Sequence, residues 1–126
     1  MTPTERLAVA DAGNLLQDAC HSASYRAGWW IGVDPRAPHV VAAKLCLIHS
    51  EISEAMEGDR KGLMDDHIPY RTMLEVELAD AVIRIADLAG ALGLDLGGAI
   101  AEKMAYNAQR ADYKPEARAA AGGKAY

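Results

Sequence analysis

The stretch from Arg71 to Leu92, RTMLEVELADAVIRIADLAGAL, decides the fold class. Its residues Leu74, Leu78, Ala81, Ile85, Leu88 and Leu92 recur at intervals of three or four, the repeat of one helix face. The strict alternation of a half-buried strand is absent. Gly93 follows at once, where a left-handed residue closes a helix. The spacing predicts a helix over 71–92.

Upstream, Val41, Leu45, Ile48, Ile52 and Met56 give the same spacing and predict a helix over 40–57. Gly58 and Gly62 then bracket a charged turn, and Pro69 excludes helix just before it. Downstream, Asp95 is placed to cap a helix over 96–110, despite Gly97 and Gly98 in its first turn. A first helix is expected from Thr4, its cap, to about residue 27, ended by Gly28. The segment Trp29 to His39, with Gly32, Pro35 and Pro38, reads as a loop. The fold class is therefore all-α: a small four-helix bundle, with residues 1–114 as one domain and 115–126 as a tail that frays or packs on a partner. A thin helical layer has two faces to cover, so dimerisation is expected to complete the core.

Composition agrees. Of 126 residues 51% are hydrophobic, Ala and Leu prominent among them, and there is no Phe. The net charge of −5 excludes a protein that grips long nucleic acid through its phosphates, but not one that takes a small anion beside a cation. No apolar run is long enough to span a membrane, and the first residues lack a signal peptide's pattern, so a soluble, cytoplasmic protein is expected. Cys20 and Cys46 read as small buried hydrophobes.

Two short runs carry chemistry. Glu51-Ile52-Ser53-Glu54-Ala55 and Glu77-Leu78-Ala79-Asp80-Ala81 share the form acid-x-x-acid-Ala. Each places two carboxylates one turn apart on one side of a helix. At about 100° per residue, both pairs stand at the same edge of their apolar stripes. Antiparallel packing through those stripes would bring Glu51, Glu54, Glu77 and Asp80 into one cleft, where like charges repel unless a cation joins them. Carboxylates with no Cys and no well-placed His suit Mg²⁺, with Mn²⁺ as a substitute. His49 lies on another face and is read as structural. Glu57 is either a solvated acid or a further base.

In the fourth predicted helix Lys103, Asn107 and Arg110 fall at i, i+4 and i+7, with Tyr106 at the edge. Such a stripe either holds a phosphate tail or merely complements the helix dipole. Lys44 lies in line with Glu51, nearly two turns earlier, to pair with it or to touch phosphate. Of the adjacent Trp29 and Trp30, one, with Trp30 favoured, stacks on a base, or both bury the end of the first helix or a dimer contact.

The runs LIHSEISEAMEG (47–58), ELADAVIRIADLAGALGLDL (77–96) and KMAYNAQR (103–110) resemble the MazG-like all-α nucleoside triphosphate pyrophosphohydrolases. The resemblance runs from about Lys44 to Arg110. It implies a helical homodimer or homotetramer that hydrolyses a (deoxy)nucleoside triphosphate to monophosphate and pyrophosphate. By the same resemblance Glu51, Glu54, Glu77 and Asp80 hold Mg²⁺, and Lys103, Asn107 and Arg110 serve phosphate and nucleotide contacts. Glu54 and Glu51 are the candidates to act on the attacking water. Two other readings stay open: a catalytically silent nucleotide- or protein-binding dimer, and phosphoribosyl-ATP pyrophosphohydrolase, which the KMAYNAQR run fits less well.

Overall fold

The computed structural model describes residues 1–125, and they are helical throughout: α1 (Pro3–Arg26), α2 (Val40–Lys61), α3 (Met73–Ala91), α4 (Leu96–Gln109), a 3-10 turn (Ala111–Tyr113) and α5 (Pro115–Ala119). Among the described residues the extended pairing is a single bridge between Met64 and Thr72. No helix is long and apolar enough to cross a membrane. The short α5 was not expected from the sequence; Pro115, preset for a first helical position, starts it.

The starts of α1 and α3 carry reciprocal caps. The hydroxyl of Thr2 accepts from the Glu5 N–H (3.1 Å), and the Glu5 carboxylate accepts from the Thr2 N–H (2.6 Å). The cap is thus Thr2, not Thr4, and Pro3 sits where no N–H is needed. Thr72 and Glu75 form the same box at the start of α3. The Asp95 carboxylate accepts from the Gly98 N–H (3.0 Å) at the start of α4. At the other end of α3, Gly93 has φ 66°, as its position predicted.

The described chain divides into two compact units, Met1–Leu15 with Asp95–Tyr126, and Leu16–Leu94. In the first, Asn14 donates to Asp95 (2.8 Å) and accepts from the Gly97 N–H (2.8 Å). A Cβ on Gly97 would overlap the Ala10 carbonyl oxygen, so a glycine at this point of the first turn of α4 admits the neighbouring helix backbone.

In the second unit α2 and α3 form an antiparallel hairpin, with Gly58 against Met73 at the loop end and Glu51 against Arg84 further along. α2 passes through Gly58, expected to break it, and ends only at Gly62 (φ 61°). Gly58 is there for proximity: a Cβ would lie 2.7 Å from the Met73 Cβ. The connecting loop is stapled by Asp65, whose carboxylate accepts from the N–H groups of His67 (2.9 Å) and Ile68 (2.7 Å).

The hairpin seam is only partly the expected one: Ala81 and Leu88 of the predicted α3 stripe are buried, but the α2 stripe is not. On α2 it buries Glu51, Ala55 and Gly58; the buried residues of α3 are Ala81, Ala86, Leu88 and Ala89. Ile52, Met56, Leu78 and Ile85, the large residues of the predicted stripes, are exposed, Met56 at 62%. Small side chains let the helices approach closely, and this turns the seam towards Ala and Gly. Cys46 is exposed and Cys20 half-buried, so only the second fits the expected apolar packing.

Candidate metal centre

Glu51 stands near the middle of α2, with its carboxylate bonded across the seam to Arg84. It is 7% exposed. One ligand atom from each of Glu51, Glu77 and Asp80 lies within 4.8 Å of the others, and the acid pairs of α2 and α3 do converge to that extent. Glu54 stands outside this set, exposed at its edge. It is still near enough for its charge to act on Glu77.

The electrostatics follow from crowding. Burial, a hydrogen bond shared with Glu51, and the charges of Glu54, Glu51 and Asp80 push the Glu77 carboxyl up to about 7. Asp80 is raised as well, by burial and by the charge of Glu51, with Asp65 adding to the effect and Arg84 opposing it. Glu51 is the exception. Burial works to raise it, but the hydrogen bonds from Arg84 and Glu77 and the charge of Arg84 outweigh that and hold it below the usual carboxylate range.

Arg84 explains the exception. Its Nε donates to a Glu51 oxygen at 2.6 Å, so the cluster contains one cation of its own. Sequence reasoning missed it, although the signal was there: Arg84 follows Asp80 by four residues and so shares its side of α3.

A second carboxylate on α3 was also missed. Asp87 accepts from His21 Nδ1, the Ser24 hydroxyl and Trp30 Nε1, each at 2.9 Å. An acid between Ala86 and Leu88, both buried, was the available clue. This arrangement decides the tryptophan question. Trp30 is buried and tied to Asp87, with Lys44 Nζ 4.7 Å over its ring, whereas Trp29 is 70% exposed. The Trp30 ring is therefore not open to a base; it fastens the loop after α1. Lys44 is engaged with Trp30 and not with Glu51.

The other predicted binding residues belong to α4 and its end. Lys103 Nζ lies 4.7 Å over the Tyr106 ring. An open trough of about 660 Å³ is lined by Ala99, Ile100, Glu102, Lys103, Met104 and Asn107, and the Asn107 side-chain oxygen is buried without a hydrogen-bond partner. Arg110 departs from the expected stripe. α4 ends at Gln109, Arg110 is extended, and its guanidinium grips Asp112 through Nε (2.9 Å) and Nη2 (2.5 Å). Lys124 joins the same carboxylate at 3.1 Å. Glu57 pairs with Arg60 and Lys61 and is a surface acid.

No family model, no curated protein and no solved structure matches the chain.

Proposed function

We propose that this chain is a Mg²⁺-dependent nucleoside triphosphate pyrophosphohydrolase of the MazG-like kind. The observation that carries the reading is the convergence of Glu51, Glu77 and Asp80, three carboxylates from two helices, with Arg84 paired to Glu51. The donor set fits a hard divalent ion. All the ligand atoms are carboxylate oxygens, and Glu77 keeps its proton to about 7 when only Arg84 offsets the charge. Glu51, Glu77 and Asp80 would hold the ion, with Glu54 at the rim. Bound there, Mg²⁺ would neutralise phosphate charge and acidify a water.

The chain's own part is positioning and proton transfer. Glu54 is exposed beside the cluster and is suited to orient a water and take its proton. Attack of the water oxygen on the α-phosphorus forms the monophosphate. The bond to the bridging oxygen breaks and pyrophosphate leaves. Roles for Lys103, Asn107 and Tyr106 with the nucleotide rest on the resemblance alone. The exposed Ile52, Met56, Leu78 and Ile85 are read as contacts with a second copy that completes a four-helix bundle.

A screen of canonical and modified triphosphates, with Mg²⁺ or Mn²⁺ and detection of pyrophosphate, tests the reading. Turnover lost in Glu54→Gln and in Asp80→Asn is the expected result. Failure to turn over any triphosphate with either metal refutes it.

A further inference from the structure

The Arg84 guanidinium has more donors than Glu51 uses. Nε is spent on one Glu51 oxygen at 2.6 Å. Neither Nη group donates a hydrogen bond among the described residues, and the side chain is 41% exposed. Glu51, by contrast, is buried. Arg84 is thus anchored at its inner edge and open at its outer edge, beside the carboxylates that gather on the seam. A guanidinium held in this way presents two parallel N–H groups, the geometry that matches two oxygens of a phosphate. Its rotation is already restricted, so little further order is lost on binding.

We propose that Arg84 binds a phosphate of the substrate through its Nη edge while its Nε remains on Glu51, and that its charge holds down the affinity of the cluster for free divalent metal. This rests on the reading of the cluster as a metal centre and names the residue that receives the phosphate there. Two opposed effects follow for removal of the charge. Free metal binds more tightly, because a cation no longer stands beside Glu51. The phosphate binds more weakly, because charge-assisted hydrogen bonds are lost.

Inorganic pyrophosphate is the probe, since it needs no knowledge of the base. Mn²⁺ binding to the full chain is followed by electron paramagnetic resonance, and pyrophosphate binding in saturating Mn²⁺ by calorimetry. Arg84→Gln is expected to take up Mn²⁺ more tightly than wild type and to bind pyrophosphate roughly tenfold more weakly. Arg84→Lys guards against a folding defect. It retains the charge and the pairing with Glu51, but one ammonium cannot grip Glu51 and present a planar fork to phosphate. Mn²⁺ affinity should therefore stay near wild type while pyrophosphate affinity still falls. Wild-type pyrophosphate affinity in Arg84→Lys overturns the inference even if Arg84→Gln is unfolded. Absence of Mn²⁺ binding by the wild type overturns the metal-centre reading itself, and this inference with it.

Discussion

Two sites built on carboxylates of α3, one around Asp87 and one around Glu77 and Asp80, solve the same problem in opposite ways. At Asp87 one acid receives three donors, from His21, Ser24 and Trp30. At the hairpin seam three acids, Glu51, Glu77 and Asp80, gather with one cation, Arg84, which is bonded to Glu51 alone. A partly buried acid with surplus donors is a fastening, because each bond offsets the cost of taking the charge out of water. A partly buried group of acids with too little positive charge is a standing demand for a cation. The comparison teaches that charge balance, more than the mere presence of acids, separates a site from a brace.

The largest expected effect breaks the comparison at its functional side. Glu77→Gln should lower pyrophosphate release at least roughly a hundredfold, as loss of a ligand carboxylate would. Its metal-free melting temperature should not fall, because a repelled charge has been removed. Asp87→Asn should do the reverse. It weakens three hydrogen bonds and should cost about 2–3 kcal/mol in denaturant unfolding, whether or not metal is present. A destabilised Glu77→Gln with intact turnover would invert the assignment of the two clusters.

A smaller effect is carried by pH. Glu77 holds its proton in the folded chain up to about 7, against 4.5 for a free glutamate. Between those values the unfolded chain releases a proton that the folded chain keeps. Stability of the metal-free protein should therefore fall as pH rises through that window, then level off. Asp80, also raised, adds a slope of the same sign, and Glu51, lowered, gives a slope of the opposite sign below its ordinary 4.5. Melting curves in a chelator from pH 4 to 8 check this; Glu77→Gln should flatten the fall.

The smallest effect lies outside both clusters. Arg110→Ala should leave stability nearly unchanged, since its pair with Asp112 lies at the surface of a short turn. Chemical denaturation measures it.

The sequence made the helices legible because their apolar spacing, Gly93 and the Asp95 cap are local signals. The carboxylate cluster was partly legible for the same reason: an acid-x-x-acid pair is a local pattern. What escaped depended on contacts between distant segments. Gly58 looks like a breaker until Met73 is seen lying against it. On α2 the seam was expected through Ile52 and Met56, yet it runs through Ala55 and Gly58, where close approach favoured small side chains, while Ala81 and Leu88 of the expected α3 stripe are buried. Trp30 was offered to a base because nothing near it in the chain shows that Asp87 takes its indole N–H. Arg110 failed as a stripe member for want of a single residue of helix.

The contact between Gly58 and Met73 also bears on where this chain tolerates changes of length. It fixes the hairpin at one end, and Arg84 with Glu51 fixes it further along. One residue inserted between Glu51 and Gly58 would turn Glu51 by about 100° away from the seam and shift it by about 1.5 Å. The same insertion between Gly62 and Asp65 meets no such constraint from the helix phase. Related chains should therefore keep a constant count of residues between these two anchor points on α2, while the number of residues in the turn that follows is free to drift.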